Sequence, residues 1–121
     1  MSQRATVLVL VVDDDPDTVQ TMREILQEEG HTVLSASNGR EGLQVALQTI
    51  PDLVLLDLEM PVMDGRSFLA EVAKAPSLAG VTVVVLSGTA DPSVSCESVK
   101  KPLRLDTLLG LIERVAVAGP A

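Results

Sequence analysis

The chain has 121 residues, of which 46% are hydrophobic and 21% charged, and its net charge is −8 at pH 7. This composition is that of a globular protein long enough to bury a core. The negative net charge and the single aromatic residue, Phe68, argue against a domain that binds nucleic acid by itself. Such binding requires a basic surface for the phosphates and aromatic side chains on which bases stack. The longest apolar runs are about six residues, which is too short to span a membrane.

Strand-like and helix-like patterns alternate along the chain. Strands are predicted over VLVLVV (7–12), TVLSAS (32–37), LVLL (53–56) and VTVVVL (81–86). Apolar runs rich in β-branched residues, without polar alternation, are typical of strands that are covered on both faces, as in a parallel sheet. The alternation therefore predicts an α/β fold with helices on both sides of a parallel sheet.

Each segment between or after these strands carries a helical pattern. Asp15 is predicted to cap the first helix, with Pro16 at its first position and Gly30 at its end. Asn38 is predicted to cap the second helix, with Glu41 placed as in a capping box. The predicted apolar helix faces are Val19, Met22 and Leu26; Leu43, Ala46, Leu47 and Ile50; Phe68, Leu69, Val72 and Ala73; and Leu105, Leu108, Leu109 and Ile112.

Polar side chains follow the predicted strands at their carboxyl ends. Asp13 and Asp14 end the first strand, Asp57 ends the third and Ser87 ends the fourth. Ligands of parallel sheets bind beyond the carboxyl ends of the strands, so we expect these residues to converge on one rim. Carboxylates from different strands suit a hard divalent cation such as Mg²⁺, which would relieve their repulsion. A hydroxyl there and the amine of Lys101 could bind phosphoryl oxygens.

Four segments resemble the receiver domain of bacterial two-component response regulators, of the chemotaxis-receiver kind. They are VVDDDPD (11–17), LLDLEMPVMDG (55–65), VLSG (85–88) and VKKP (99–102), in the order and spacing of that family. The resemblance covers about residues 6–117 and implies a single receiver domain over 1–121. It further implies a five-stranded parallel sheet of flavodoxin-like order 2-1-3-4-5, with helices on both faces.

The resemblance also implies a function. Asp57 matches the aspartate that attacks a phosphohistidine of a partner, a histidine kinase or a histidine phosphotransfer protein, and becomes an acyl phosphate. Receivers of this kind catalyse their own phosphorylation and dephosphorylation. Asp14 matches the direct Mg²⁺ ligand and Asp13 its neighbour that binds through water. The backbone carbonyl of Glu59 would be a further protein ligand, beside Asp57 itself.

Two further residues match the part of the family's site that faces the phosphoryl group. Ser87 matches the residue whose hydroxyl follows that group, and Lys101 matches the invariant lysine of the family. The lysine precedes Pro102, and this peptide bond is usually cis in the family. Glu59 and Thr89 flank the site and, by resemblance, tune the lifetime of the phosphorylated state.

The chain departs from the family pattern in two places that concern output. Ser98 occupies the position of the family's switch aromatic, so coupling of a hydroxyl to a ring is lost. Only residues 88–100 separate Ser87 from Lys101, an interval too short for a normal helix of about 11 residues and a strand of about 5. SVSCESV (93–99) must become the fifth strand, so we predict that the fourth helix is a single turn or absent.

The acidic cluster also has simpler explanations. Asp15 and Asp17 are accounted for by helix capping and the helix dipole, and they are excluded from the site. The spacing of Asp13, Asp15 and Asp17 imitates a calcium-binding EF-hand loop. Calcium is disfavoured because Thr18 stands where that loop needs glycine and because a strand, not a helix, precedes it.

Other readings concern function and location. A second hypothesis is a receiver-fold module for protein contacts whose output does not depend on phosphorylation. A free-standing phosphatase is remote, because no lid to exclude water is evident. His31 is expected to be an exposed residue at the start of a strand, and Cys96 a small buried hydrophobe. One cysteine and an N-terminal sequence unlike a signal peptide lead us to expect a cytoplasmic protein.

Overall fold

The computed structural model describes residues 6–58, 63, 65–87, 97–100 and 104–117, with the backbone alone described at 87, 97, 98, 100 and 117. Its strands are β1 (Leu8–Val12), β2 (Thr32–Ala36), β3 (Leu53–Asp57), β4 (Thr82–Ser87) and the short segment β5 (Glu97–Lys100). Its α-helices are α1 (Pro16–Glu28), α2 (Gly39–Gln48), α3 (Gly65–Lys74) and α4 (Leu105–Val117), and a 3-10 turn spans Pro76–Leu78. No helix of the described part is long and apolar enough to cross a membrane.

The strands β2, β1, β3 and β4 lie side by side in that order, and every neighbouring pair is parallel. Val12, the last residue of β1, lies opposite Ala36 of β2 and Leu56 of β3. Asp57 of β3 lies opposite Leu86 of β4. This register aligns the carboxyl ends of four neighbouring strands along one edge, and the parallel α/β arrangement agrees with the prediction.

The prediction of a five-stranded parallel sheet of order 2-1-3-4-5 needs correction. Four strands of five or six residues form the body of the sheet. Beside β4, at the sheet edge, the described residues include the four-residue segment Glu97–Lys100, where SVSCESV (93–99) was predicted. Among the described residues this segment pairs with β4 alone, opposite Val84–Ser87, so it is an edge addition to the four-stranded body. The predicted loss of the fourth helix concerns residues 88–96, which lie outside the described residues.

Alternating residues of the central strands fill two apolar layers, one on each face of the sheet, because successive side chains of a strand point to opposite faces. Helices α1 and α4 cover one layer, and α2 and α3 cover the other. The first layer includes Val9, Val11, Met22, Leu26, Leu53, Leu55, Leu108 and Ile112. The second includes Leu10, Val12, Ala46, Val54, Leu56 and Phe68.

Three predicted helix faces are wrong at their ends, and one of them is the α3 face, where Ala73 is exposed. Leu47 and Ile50 are about half exposed, and so is Leu105 at the start of α4. The buried side of α2 is formed instead by the small residues Gly39, Gly42 and Ala46. Small residues let the helix axis approach the sheet closely, and Leu47 lies about 100° around the helix from Ala46, so it faces outward.

The prediction for His31 is also wrong, because its side chain is only 5% exposed. Gly30 adopts φ +89°, a conformation that favours glycine, and turns the chain after α1. The His31 Nδ1 atom then accepts the backbone N–H of Val7 at 3.0 Å. His31 is therefore a polar core residue that ties the start of β2 to the residue before β1.

Candidate functional site

Three aspartates lie together at the carboxyl ends of β1 and β3. Asp13 and Asp14 directly follow β1, and Asp57 is the last residue of the adjacent β3. One carboxylate oxygen from each lies within 4.8 Å of the other two. Asp13 and Asp57 are 3% and 6% exposed, whereas Asp14 is exposed to solvent. The fold thus holds two buried acids against a third that reaches solvent.

Asp13 is oriented by the turn that leads into α1. Its backbone N–H donates to the carbonyl of Ala36 at 3.0 Å, which continues the pairing of β1 with β2 beyond the strand end. Its Oδ1 accepts the N–H of Asp15 at 2.9 Å. Asp15 in turn caps α1 by accepting the N–H of Asp17 at 3.1 Å. The capping prediction for Asp15 is confirmed.

Asp57 stands where the chain turns sharply out of the sheet. The N–H of Leu58 donates to the carbonyl of Leu86 at 3.3 Å, and the N–H of Gly65 donates back to the carbonyl of Leu58 at 3.0 Å. A Cβ atom at Gly65 would lie 2.7 Å from Leu58 Cα and 2.8 Å from the carbonyl oxygen of Asp57. Only glycine permits this close return of the chain onto the backbone of Asp57.

The donor set fits a hard divalent cation. Three carboxylate oxygens within 4.8 Å of one another, two of them from buried residues, repel strongly without a counter-charge. Mg²⁺ prefers oxygen ligands, binds through few protein carboxylates and keeps several waters. The exposure of Asp14 leaves one side of the cluster accessible to water and to phosphate.

A groove of about 320 Å³ opens beside Asp13 and Asp14, between α1, the end of β2 and the start of α2. Arg23 of α1 crosses it and donates to the carbonyl of Val33 at 3.1 Å and to the Ser35 hydroxyl at 2.8 Å. These bonds fix the guanidinium against β2. The groove gives molecules from solution a path to the α1 side of the acidic cluster.

The other predicted site residues are placed only in part. Ser87 is the last residue of β4, and its backbone pairs with Lys100. The Ser87 side chain is not among the described atoms. Glu59, Lys101 and Pro102 lie outside the described residues, so their predicted roles stay predictions.

Sequence reasoning missed Gly39, the first residue of α2. Its N–H donates to the carbonyl of Met63 at 2.9 Å, which holds Met63 against the start of α2. A glycine after the Asn38 cap fits an ordinary helix start, so nothing in the local pattern marked it. The contact joins two segments that are distant in sequence, and only the fold reveals it.

Comparison with known proteins gives a consistent result. A family model described as response regulator receiver domain matches residues 9–109. An uncharacterized 14.6 kDa protein of Leptolyngbya boryana is 30% identical over 128 residues, 99% of this chain and 98% of that protein. Several other curated relatives are much longer, and this chain spans only 9% to 18% of their length.

Two solved structures are similar over nearly the whole chain. The chemotaxis protein CheY4 of Vibrio cholerae has a TM-score of 0.82 at 30% identity, over 92% of this chain and 99% of that one. The response regulator TrrA of Thermotoga maritima, crystallised in complex with Mg²⁺-BeF, has a TM-score of 0.79 at 29% identity. That similarity covers 91% of this chain and 99% of TrrA.

Proposed function

Because the chain belongs to the response regulator receiver domain family, we propose that Asp57 is its phosphoacceptor. The phosphoryl group comes from a phosphohistidine on a partner, a histidine kinase or a histidine phosphotransfer protein, and the transfer depends on Mg²⁺. One observation carries the proposal. Carboxylates of Asp13, Asp14 and Asp57 come from two adjacent strand ends and lie within 4.8 Å of one another at the edge where α/β sheets bind ligands.

The proposed transfer is a substitution at phosphorus. A carboxylate oxygen of Asp57 forms a bond to phosphorus while the bond from phosphorus to the donor's imidazole nitrogen breaks. The bonding pair leaves with the imidazole, which takes up a proton, and Asp57 becomes an acyl phosphate. The donor is already activated, so this chain contributes mostly positioning and neutralisation of charge.

Asp14, Asp57 and the backbone carbonyl of Glu59 would hold the Mg²⁺ ion, with Asp13 bound through water. When bound, the ion neutralises the carboxylates and the phosphoryl oxygens. The hydrogen bond from the Asp15 N–H to Asp13 Oδ1 supports a water-mediated role for Asp13, because this bond fixes the direction of the Asp13 carboxylate without the ion. Asp14, the exposed member, is the one that a hydrated ion reaches first.

Ser87 and Lys101 complete the proposed site by binding oxygens of the transferred phosphoryl group. The sheet register supports the role of Ser87, because Asp57 pairs with Leu86 and Ser87 therefore lies one residue beyond Asp57 at the same edge. A hydroxyl and an ammonium group at that position would counter the negative charge of the phosphoryl group on Asp57.

We further propose that residues 6–117 form one receiver domain that works in the cytoplasm. The two apolar layers join helices from both ends of the chain to one sheet, so unfolding in urea should follow a single cooperative transition. The single Cys96 suits a reducing compartment.

The decisive experiment is incubation with a small phosphodonor, such as acetyl phosphate, followed by intact-mass measurement. The wild-type chain should gain the mass of one phosphoryl group with Mg²⁺ and none in EDTA, and hydroxylamine should remove it. Asp57→Asn should gain none, while Asp106→Asn, an exposed aspartate at the start of α4, should behave as the wild type does. An unmodified, folded wild type would favour the alternative, a receiver-fold interaction module that does not use phosphorylation.

A further inference from the structure

The short turn between β2 and α2, residues 36–39, contacts the chain on both sides of the acidic cluster. On one side, the carbonyl of Ala36 accepts the N–H of Asp13 at 3.0 Å. On the other side, the N–H of Gly39 donates to the carbonyl of Met63 at 2.9 Å. We propose that this turn is a positioning element for the metal site, with Gly39 as its critical residue; this inference rests on the proposed function.

The contact at Met63 continues to the backbone of Asp57. Two residues after Met63, the N–H of Gly65 donates to the carbonyl of Leu58 at 3.0 Å. Gly65 also packs so closely that a Cβ atom there would lie 2.8 Å from the Asp57 carbonyl oxygen. A displacement of Met63 is therefore passed to the residue that carries the phosphoacceptor carboxylate.

The turn itself is held by side chains. Asn38 Oδ1 accepts the N–H of Glu41 at 2.9 Å, and Glu41 Oε1 accepts the N–H of Ser37 at 3.1 Å. N–H groups of the first helical turn have no partner within a helix, and the Met63 carbonyl supplies one for Gly39. The start of α2 is thus a fixed point that Met63 contacts.

No side chain fits at Gly39. A Cβ atom there would collide with the carbonyl oxygen of Met63 and would lie 2.8 Å from Met63 Cγ. Helix α2 has little freedom to adjust, because a Cβ at Gly42 would already lie 2.9 Å from Val12 Cγ2 and 3.3 Å from Phe68. A larger residue at position 39 must therefore move Met63 away from α2 and lengthen the hydrogen bond between Met63 and Gly39.

The expected effect of Gly39→Ala is a loss of metal affinity. Disturbing residues that orient metal ligands typically costs about ten- to a hundredfold in affinity, and we expect Mg²⁺ binding to weaken by about tenfold or more. The Mg²⁺ concentration that half-saturates phosphorylation should rise by the same factor, with a smaller effect on the rate at saturating Mg²⁺. Calorimetric titration with Mg²⁺ alone measures the affinity without any phosphodonor.

Two variants serve as controls, one in the core and one at an exposed glycine. Leu26→Ala empties a fully buried position in the apolar layer that contains neither Met63 nor Val12, so it should lower stability and leave Mg²⁺ affinity unchanged. Gly80→Ala meets nothing within 4 Å and should change neither. A merely structural role for Gly39 predicts that Gly39→Ala and Leu26→Ala behave alike.

The outcomes separate the inference from the proposed function. If the wild type is not phosphorylated, the proposed function fails whatever the variants do. If the wild type is phosphorylated but folded Gly39→Ala binds Mg²⁺ as tightly as the wild type, or Leu26→Ala loses as much affinity, the inference is overturned. Should Gly39→Ala not fold, Asn38→Ala removes the cap of the same turn, and an unchanged Mg²⁺ affinity there overturns it equally.

Discussion

Replacing Asp57 with asparagine should stabilise the metal-free protein. The substitution keeps the shape of the side chain and removes one of three charges whose oxygens lie within 4.8 Å of one another. At that separation and an effective dielectric constant near 20, two unit charges repel by about 3.5 kcal/mol. The pair that matters most is Asp13 with Asp57, because both are buried, whereas solvent screens Asp14.

The net gain in stability is smaller than this repulsion, because asparagine also weakens the favourable interactions that the charged Asp57 makes with its other neighbours. We expect the free energy of unfolding in EDTA to rise by about 1–2 kcal/mol, or about 4–8 °C in melting temperature for a domain of this size. Far-UV circular dichroism in urea is the suitable assay, since the chain has no tryptophan. Glu113→Gln, an exposed charge removal in α4, should stay within about 0.5 kcal/mol.

Addition of Mg²⁺ should relieve the carboxylate repulsion that makes the wild type less stable than Asp57→Asn in EDTA. At a hundredfold excess over its dissociation constant, Mg²⁺ stabilises the wild type by about 2.7 kcal/mol. Asp57→Asn has lost a ligand, so it should gain much less, and the two proteins should approach each other in stability. If Asp57→Asn is less stable than the wild type in EDTA, or if Mg²⁺ stabilises both equally, the repulsive cluster is not what the metal relieves.

Three further predictions concern the fold around the site. His31→Phe keeps a ring but leaves the buried N–H of Val7 without its acceptor, so it should cost about 1–3 kcal/mol in urea unfolding; an unchanged midpoint would contradict the core role of His31. Phe68→Ala empties a fully buried position between α3 and the sheet and should cost about 3–5 kcal/mol in the same assay. Asn38→Ala should cost about 1 kcal/mol by removing the cap that accepts the Glu41 N–H, whereas Asn38→Asp should retain most of it.

Local patterns in the sequence determined the class of fold and the location of the acidic cluster. Apolar runs without alternation can only be buried on both faces, which requires a parallel sheet between helices. Parallel strands point their carboxyl ends to the same edge, so acids placed after two such runs converge wherever the helices lie. That is why Asp13, Asp14 and Asp57 could be grouped from the sequence and are adjacent in the structure.

Tertiary packing alone decided which residues the helices bury and what supports the site. Leu47 and Ile50 continue the apolar pattern of α2, yet they are half exposed, because Gly42 brings the helix against Val12 and Phe68. The short edge segment β5, the buried ring of His31 and the bond from Gly39 to Met63 likewise depend on partners far away in sequence. Periodicity describes one element at a time, whereas a close approach between backbones depends on the volumes of residues in several elements at once.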